Sequence, residues 1–208
     1  KTALIFGIIT SLSGSALFLT LHWKAAFWSL FSVIFYVFVY SIWLKRRTPQ
    51  NIVIGGAAGA TPPVIGWAIA TNSISAESII LFLIIFIWTP SHFWALSLYK
   101  SGDYKKAKIP MLPVIAGVKK TKINILVYSF AMLPIIIAPY FFNFAGIFYL
   151  ISTVLMTLYY NYLCLELFKS KVIKKSNKIA RKVFIYSIFY LFFIYLVLLI
   201  DNAKEFLL

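Results

Sequence analysis

The sequence is poor in acidic and thiol side chains. Its 208 residues include five Asp and Glu, two His and one Cys, against twenty Lys and Arg. The single cysteine, Cys164, excludes an internal disulfide and a metal site built from several thiolates. Charged residues of both signs make up only 12% of the chain, too few for the surface of an ordinary water-soluble domain. No internal repeat, low-complexity tract or linker is present, so residues 1–208 are expected to form one domain.

Apolar residues dominate instead, at 62% of the chain with a mean hydropathy of +0.91. A helix needs roughly 20 apolar residues to cross the hydrocarbon core of a bilayer. The long runs are apolar at successive positions, without the alternation of a membrane β-barrel. They predict an all-α, polytopic transmembrane bundle with seven helices, at residues 3–22, 25–44, 53–71, 78–99, 123–142, 144–163 and 181–201.

The positions of the basic residues predict an orientation. Eighteen of the twenty, including Lys1, fall on one side of the membrane, and only Lys24 and Lys204 fall on the other. Short loops rich in Lys and Arg stay in the cytoplasm. The net charge of +15 is therefore interpreted as a topology signal, and no nucleic-acid partner is expected because the bases are dispersed over several loops. We expect a bacterial inner membrane with cytoplasmic basic loops, the mitochondrial inner membrane being the alternative.

Asp103 is a lone carboxylate in the lysine-rich loop SGDYKKAKIPMLPV. Mg²⁺ is commonly held by one or two carboxylates together with substrate phosphates and water. One Asp cannot hold such a metal alone, and Glu166, the other acid on this side, is better explained by a surface ion pair. A second carboxylate is therefore expected upstream of residue 1.

Two further segments are candidates for binding. Lys45, Arg46 and Arg47 are typical of a cytoplasmic boundary, but they would neutralise a phosphate that another loop brought within reach. His92 lies inside the fourth apolar run, where it could contact a bound group, carry a proton, or satisfy a helix carbonyl freed by Pro90.

Glycine and proline mark the third apolar run. Gly55 and Gly59 are four residues apart, a spacing that lets helices approach closely. Pro62 and Pro63 then interrupt the backbone ladder near mid-membrane, which predicts an irregular helix beside a cavity.

Two blocks, LKRRTPQNIVIGGAAGATPPVIGW and WTPSHFWALSLYKSGDYKKAKIPMLPVIAG, resemble the heme O synthase branch of the UbiA-type intramembrane prenyltransferases. The resemblance extends over the whole chain and implies nine helices around a cavity open to the cytoplasm. The seven helices here would be the third to ninth, and the first two helices and the first Asp-containing motif would be absent from residues 1–208. Asp103 matches the later motif, whereas Ser91 stands where a Pro commonly precedes the His, and Lys108 where a Gly is usual.

The resemblance implies farnesyl transfer from farnesyl diphosphate to a vinyl group of heme B (protoheme IX), with addition of water, giving heme O and diphosphate. It implies Mg²⁺ as the cofactor, Asp103 as its catalytic ligand and His92 as a heme contact. The implied substrate-binding residues are Tyr40, Lys45, Arg46, Arg47, Asn51, Tyr104, Lys105 and Lys106. Heme A synthase and terminal oxidase assembly proteins are the partners that it suggests, besides the lipid bilayer.

Three alternatives stay open at this point. A related prenyltransferase would use a quinone precursor as acceptor, a transporter would also have broken helices and an intramembrane His, and an assembly factor would lack catalysis. The resemblance also leaves open whether residues 1–208 are active by themselves, because the first motif is not among them.

Overall fold

The structure, a computed structural model, describes residues 2–207, with side chains to residue 203. Lys1 and the side chain of Lys204, which the charge argument used, lie outside the described residues. The elements are α1 (Thr2–Leu21), α2 (Trp23–Ile34), a π-helical segment (Phe35–Leu44), α3 (Asn51–Gly59), α4 (Pro62–Thr71), α5 (Ala76–Tyr99), α6 (Ser101–Lys106), α7 (Leu112–Ile115), α8 (Gly117–Phe141), α9 (Ile147–Lys169) and α10 (Ile173–Leu207).

Seven helical spans are long and apolar enough to cross a membrane, which confirms the predicted all-α, polytopic bundle. The main differences lie at lysine-rich ends. The helix α8 begins at Gly117, α9 continues to Lys169 and α10 begins at Ile173, all several residues beyond the predicted spans. Lys is a good helix former and keeps its ammonium in water, so these helices extend past the apolar run that hydropathy detects.

The third span is broken where its prolines predict. The helix α3 ends at Gly59 and α4 begins at Pro62, at which position the missing proline N–H costs no helix hydrogen bond. The Thr61 hydroxyl donates to the Ala58 carbonyl at 2.8 Å and so satisfies part of the interrupted backbone. The prediction of an irregular third helix is confirmed.

Four helices, α5, α8, α9 and α10, form a closed bundle in which each contacts two neighbours. The residues buried in its core include Trp94, Met132, Tyr160 and Tyr190. The helices α3 and α4 cover one side of α5, α2 packs on them, and α1 packs on α2. Since lipid is as apolar as these side chains, such a bundle is stabilised by close packing and interhelical hydrogen bonds.

Polar side chains join the helices of the bundle. The Tyr160 hydroxyl on α9 donates to Ser91 Oγ on α5 at 2.8 Å, and the Tyr195 hydroxyl on α10 donates to the Leu81 carbonyl at 2.7 Å. The Cys164 thiol is buried nearby, so it is a packed thiol of the core. These contacts fix the rotation of α5, the helix that carries His92 and leads to Asp103.

Candidate functional site

Asp103 lies on α6, the short helix that follows α5. Its carboxylate forms an ion pair with the ammonium of Lys100, at 3.4 Å, and the side chain is 68% exposed. An exposed pair of this kind contributes little to stability, since water screens both charges. The carboxylate is therefore free to exchange its partner for a ligand.

The basic run follows directly on the π-helical segment. The last π-type hydrogen bond runs from the Lys45 N–H to the Tyr40 carbonyl at 2.8 Å, and the Lys45 ammonium lies 5.8 Å from the centre of the Tyr40 ring. Arg46 and Arg47 are exposed. The run therefore presents two exposed guanidinium groups and an ammonium held over an aromatic face.

Asn51 supports this loop from inside. Its side-chain amide donates to the Lys45 carbonyl at 3.1 Å, and the residue is 1% exposed. Its Oδ1 is buried and accepts no hydrogen bond from the described residues. Asn51, one of the substrate-binding residues that the resemblance implies, thus holds the Lys45 carbonyl in place, and its contact with a substrate stays a prediction.

Glycines bring the π-helical segment close to α3. A Cβ on Gly55 would lie 2.3 Å from Tyr40 Cδ2, and one on Gly56 would lie 3.0 Å from Thr89 Cγ2 on α5, whereas Gly59 faces open space. The prediction of close contact is thus confirmed for Gly55 but wrong for Gly59. The neighbouring Gly56 makes the second contact, because α3 packs on two elements at once.

The two candidate loops meet through their tyrosines. The Tyr40 phenol lies near enough to the Tyr104 phenol on α6 for the two to interact electrostatically. Burial raises the pKa of Tyr104 above its usual value, and the Tyr99 phenol and the Asp103 carboxylate add to the shift. Tyr104 therefore stays protonated as a hydrogen-bond donor at neutral pH, between the basic run and Asp103. Lys105 and Lys106 are exposed on the same helix.

A cavity of about 320 Å³ begins beneath these loops, between the π-helical segment, α3 and α5. Tyr36, Tyr40, Trp88 and Phe93 give it an aromatic lining. A second, more apolar cavity of about 830 Å³ lies between α4, α5 and α10. Ile85 and Trp88 line both, so the two cavities adjoin. Together they form an apolar space next to the broken third span, with a polar mouth at Tyr40.

His92 is 7% exposed and is held between aromatic rings. Its ring stacks on Trp88, with centroids 4.2 Å apart, and on Phe184 of α10, with centroids 4.6 Å apart. Its Nδ1 lies 2.6 Å from the Ser187 hydroxyl of α10. The hypothesis that His92 satisfies a carbonyl freed by Pro90 is therefore wrong, because its partner is a side chain on another helix.

The hydrogen-bond geometry assigns the tautomer of His92. The single hydroxyl proton of Ser187 is donated to the Phe184 carbonyl, at 2.6 Å. Ser187 Oγ must then accept from His92, so Nδ1 carries the proton and Nε2 keeps its lone pair. Among the side chains that the structure describes, Ser187 is the hydrogen-bond partner of the His92 ring, and it lies at Nδ1 and not at Nε2. His92 thus keeps an unprotonated nitrogen next to Trp88, which lines both cavities, although His92 itself lines neither of them.

The donor set around Asp103 can be tested against Mg²⁺. In the described part of the chain, no three His, Cys, Asp or Glu side chains come together. One exposed carboxylate with cations around it therefore cannot hold a metal by itself, but it fits a metal whose other ligands are phosphate oxygens and water. The residues present fit a metal bound together with a diphosphate.

Lys108, where the resemblance led us to expect Gly, adopts a positive φ of 54°. That backbone conformation favours glycine and costs other residues energy. It closes the loop after α6, where the Ile109 N–H donates to the Tyr104 carbonyl at 3.1 Å. Lys108 therefore keeps the loop geometry at the cost of backbone strain.

The structure separates the predicted residues into two levels. Lys45 lies over the Tyr40 ring, and the Tyr104 phenol, next to Asp103 in sequence, lies near the Tyr40 phenol, whereas His92 is buried within α5. The partners Phe184 and Ser187 were missed, since a single serine in the apolar run FIYSIFY carries no signal of its role. Glu166 was also misinterpreted: no base of the described chain lies within ion-pair distance of it, and it lines a groove between α9 and α10.

A sequence model of the UbiA prenyltransferase family matches residues 1–199. The fold also has a known counterpart, in a solved structure of a digeranylgeranylglyceryl phosphate synthase. The two superpose with a TM-score of 0.79 over 97% of this chain and 70% of that one, at 19% sequence identity. At that identity the likeness concerns the fold alone.

Sequence relatives are much more similar. The chain is 62% identical over 201 residues to a protoheme IX farnesyltransferase of Pelagibacter ubique, covering 96% of this chain and 66% of the relative. It is 47% identical to the protein of the same name in Parvibaculum lavamentivorans, covering 97% and 64%, and 47% identical to that of Bartonella henselae, covering 97% and 65%. The chain thus spans just under two thirds of the length of these relatives.

Proposed function

The chain belongs to the UbiA prenyltransferase family, and from this membership we propose that it acts as a protoheme IX farnesyltransferase, that is, a heme O synthase. The observation that carries the proposal is an apolar, aromatic cavity whose lining residue Tyr40 lies beside Lys45 of one basic loop and near Tyr104 of the other. Such a site suits an amphiphile with an anionic head and a long apolar tail. The relatives with 47–62% identity, all named for farnesyl transfer to protoheme IX, support the choice of substrates.

The basic loops bind the diphosphate in this proposal. Arg46 and Arg47 are exposed at the mouth, and a guanidinium can hold phosphate oxygens with two parallel hydrogen bonds. Lys45, Lys105 and Lys106 add positive charge, and the Tyr104 phenol adds a neutral donor. These groups stabilise the negative charge that develops on the leaving diphosphate.

Asp103 would hold Mg²⁺ together with diphosphate oxygens, and the bound metal would neutralise leaving-group charge. The ammonium of Lys100 forms an ion pair with this carboxylate, at 3.4 Å. We propose that this ammonium turns to the diphosphate when Asp103 takes a metal. The second carboxylate that the site requires remains our expectation for a segment outside residues 1–208.

The aromatic cavity receives the farnesyl chain. Tyr36, Trp88 and Phe93 line it, and their faces can stabilise an allylic cation while apolar walls keep water away. With 19% aromatic residues in the chain, no single ring can be chosen from composition. Trp88 is the best candidate on geometry, because it lines both cavities and stacks on His92.

The transfer forms one carbon–carbon bond. The C1–O bond of farnesyl diphosphate breaks, and its electron pair leaves with the diphosphate. The terminal vinyl carbon of heme B attacks C1, and water adds to the cation left on the inner vinyl carbon and releases a proton. The products are heme O, diphosphate and one proton.

His92 would contact heme B through Nε2. This nitrogen keeps its lone pair because Nδ1 donates to Ser187. The neutral imidazole is a common ligand for iron and a good hydrogen-bond acceptor. On this proposal His92 positions the porphyrin so that a vinyl group faces the cavity.

The test is mass spectrometry of heme extracted from membranes incubated with heme B, farnesyl diphosphate and Mg²⁺. Three proteins are compared: the 208-residue chain, the Pelagibacter ubique relative, and a chimera in which this chain replaces the matching part of that relative. Farnesylated, hydrated heme from the chimera, lost when Mg²⁺ is removed, supports the proposal. Unchanged heme from an inserted chimera beside an active relative would reject it, and prenylation of a quinone precursor would reassign the acceptor.

The cellular setting follows from the same proposal. The protein is a multi-pass membrane protein, and we place it in a bacterial inner membrane with its basic loops in the cytoplasm. Heme O synthesised there would pass to heme A synthase or to assembly proteins of heme-copper oxidases. Fusing a reporter enzyme after Lys106 and after Asn143 would test the orientation, since the two loops must report opposite sides.

A further inference from the structure

A groove between α9 and α10 is not used by the proposed reaction. It has a volume of about 750 Å³ and lies at the end of the bundle where α9 ends and α10 begins. Leu163 and Ile179 are buried at its floor, and Tyr159 and Phe189 are 43% and 56% exposed along its walls. The groove is therefore apolar inside and open along its length.

The lining residues of α10 change character along one stripe. Lys175, Lys178 and Lys182 are followed by Ile185 and Phe189, each three or four residues from the last. This spacing puts all five on one face of the helix. At about 1.5 Å per residue, the stripe extends roughly 21 Å, from the membrane surface into the hydrocarbon. The three lysines at one end would face the headgroup of a phospholipid in one leaflet, and the apolar residues at the other end would face its acyl chains.

The charge at the rim is strongly positive. Lys175, Lys178, Arg181 and Lys182 line the groove against one acid, Glu166. No described base lies within 4.0 Å of that carboxylate, so the four cations are not neutralised by direct ion pairs. The positive-inside tendency explains bases at this end of a helix, but it does not explain an apolar groove directly beneath them.

The groove is separate from the proposed reaction site. Phe184 and Ser187 are the α10 residues that contact His92. At about 100° per residue, every member of the stripe is turned at least about 100° away from them. The stripe opens toward the lateral surface, where Ile185 and Phe189 are 42% and 56% exposed. An occupant from the surrounding bilayer therefore fits better than farnesyl diphosphate or heme.

We propose that this groove is a binding site for one anionic glycerophospholipid of the cytoplasmic leaflet. The phosphate lies among Lys175, Lys178 and Lys182, and an acyl chain runs over Leu163 toward Phe189. The Tyr159 hydroxyl, which accepts or donates no hydrogen bond among the described residues, is a donor for a glycerol ester. The proposal does not depend on the reaction that the protein catalyses.

The experiment uses the 208-residue chain in phosphatidylcholine nanodiscs that contain a minority of phosphatidylglycerol. Native mass spectrometry, after gentle release, counts the phosphatidylglycerol molecules retained, and titration gives their affinity. The test variant is Lys178→Gln/Lys182→Gln, and the matched control is Lys171→Gln/Lys174→Gln. Both remove two exposed lysines from the same end, but only the first pair lines the groove. Arg181 is left intact because it also interacts with Tyr99 on α5.

The expected result is one tightly retained phosphatidylglycerol in the wild type and in the control. The groove variant should bind it roughly 10- to 30-fold more weakly, since each Lys near an anionic lipid contributes on the order of 1 kcal/mol. Equal weakening of phosphatidylglycerol binding in both double variants would show that only the general positive charge matters, and it would overturn the proposed groove site. Absence of retained lipid from the wild type, or its displacement by farnesyl diphosphate, would also overturn it.

A second variant tests the apolar half. Phe189→Ala should weaken retention of the same lipid, whereas Phe193→Ala, a similarly placed aromatic of α10 that does not line the groove, should not. Circular dichroism of both variants shows whether the helices persist. Unchanged retention in Phe189→Ala with intact helices would contradict a seated acyl chain.

Discussion

Removing the Ser187 hydroxyl should change which nitrogen of His92 carries the proton. In the native structure the Nδ1–H has one acceptor, Ser187 Oγ at 2.6 Å, and that hydroxyl gives its own proton to the Phe184 carbonyl. Ser187→Ala leaves a buried Nδ1–H without an acceptor. The imidazole can then move the proton to Nε2, which makes no hydrogen bond with the described residues in the native structure.

The size of the effect follows from the buried hydrogen bond. An unpaired donor in such a site costs about 1–3 kcal/mol, and 1.4 kcal/mol corresponds to a tenfold change in an equilibrium. Ser187→Ala should therefore lower the ratio of the Nδ1–H to the Nε2–H tautomer roughly 5- to 150-fold. Stacking on Trp88 and Phe184 keeps the ring in place, so the substitution should change which nitrogen is protonated and leave the ring position unchanged.

The tautomer can be measured directly by solid-state NMR of ¹⁵N-histidine in membranes. The chain has two histidines, so His22→Gln leaves His92 as the sole signal. Protonated and unprotonated ring nitrogens have well-separated shifts, and selective coupling to the ring carbons assigns each nitrogen. Wild type should show protonated Nδ1 and unprotonated Nε2, and Ser187→Ala should show a mixture or the reverse.

A control separates this effect from the loss of any buried serine. Ser97 lies on α5, is fully buried and donates only to the Trp94 carbonyl of its own helix. Ser97→Ala should leave the His92 spectrum unchanged, and Ser187→Thr, which keeps a hydroxyl, should preserve the native tautomer. If Ser187→Ala keeps Nδ1 protonated, or if the wild type is protonated at Nε2, the reasoning about His92 fails. Heme farnesylation by Ser187→Ala should fall at least about 5-fold relative to Ser97→Ala, which corresponds to the lower end of the same 1–3 kcal/mol.

Three further perturbations test the mouth of the cavity. Asp103→Asn should reduce farnesyl transfer by at least about 100-fold with normal membrane insertion, because a neutral amide cannot hold the metal that offsets leaving-group charge; near-normal turnover would reject its role. Gly55→Ala should destabilise the protein by about 1–3 kcal/mol, since the added methyl would overlap the Tyr40 ring. The control Gly59→Ala adds its methyl to open space and should not destabilise the protein. Equal melting temperatures of the two variants would contradict the close contact at Gly55. Lys108→Gly should stabilise by about 1 kcal/mol by relieving the positive φ of 54°, and a lower melting temperature would contradict that strain.

Local sequence predicts the membrane spans well because hydropathy is a property of each segment. All seven were recovered, and the break before Pro62 followed from the chemistry of proline. The errors at Gly117 and Ile173 have one cause, since lysine-rich turns continue a helix in water where hydropathy no longer marks it. The π-helical segment Phe35–Leu44 has no such local signal, and its contact through Tyr40 with Gly55 joins two elements, which hydropathy does not report.

The residues of the candidate site also fall into those that local sequence predicts and those that depend on distant partners. Charged residues that reach water, such as Asp103 and Lys45, could be chosen because charge is rare in this chain. The roles of buried polar residues could not, since they depend on partners far along the sequence. The hydrogen bond from Asn51 to the Lys45 carbonyl could not be predicted, because nothing near Asn51 in the sequence shows that its amide turns inward. Ser187 was missed because its partner, His92, is 95 residues away.

Phe184 links the two levels of the site. Its ring stacks on His92 at 4.6 Å and meets Tyr99 edge-on at 6.2 Å, and Tyr99 lies at the end of α5 next to Lys100 and the Asp103 loop. A shift of α10 along α5 would therefore displace Phe184 and disturb both the His92 imidazole and the end of α5 that leads to the Asp103 carboxylate. Hydrogen bonds from Trp88 to the Ser187 carbonyl, at 2.9 Å, and from Tyr195 to Leu81 oppose that shift. These contacts thus hold the buried imidazole at a fixed distance from the loop of Asp103, which is what the proposed reaction between a prenyl donor and a porphyrin acceptor would require.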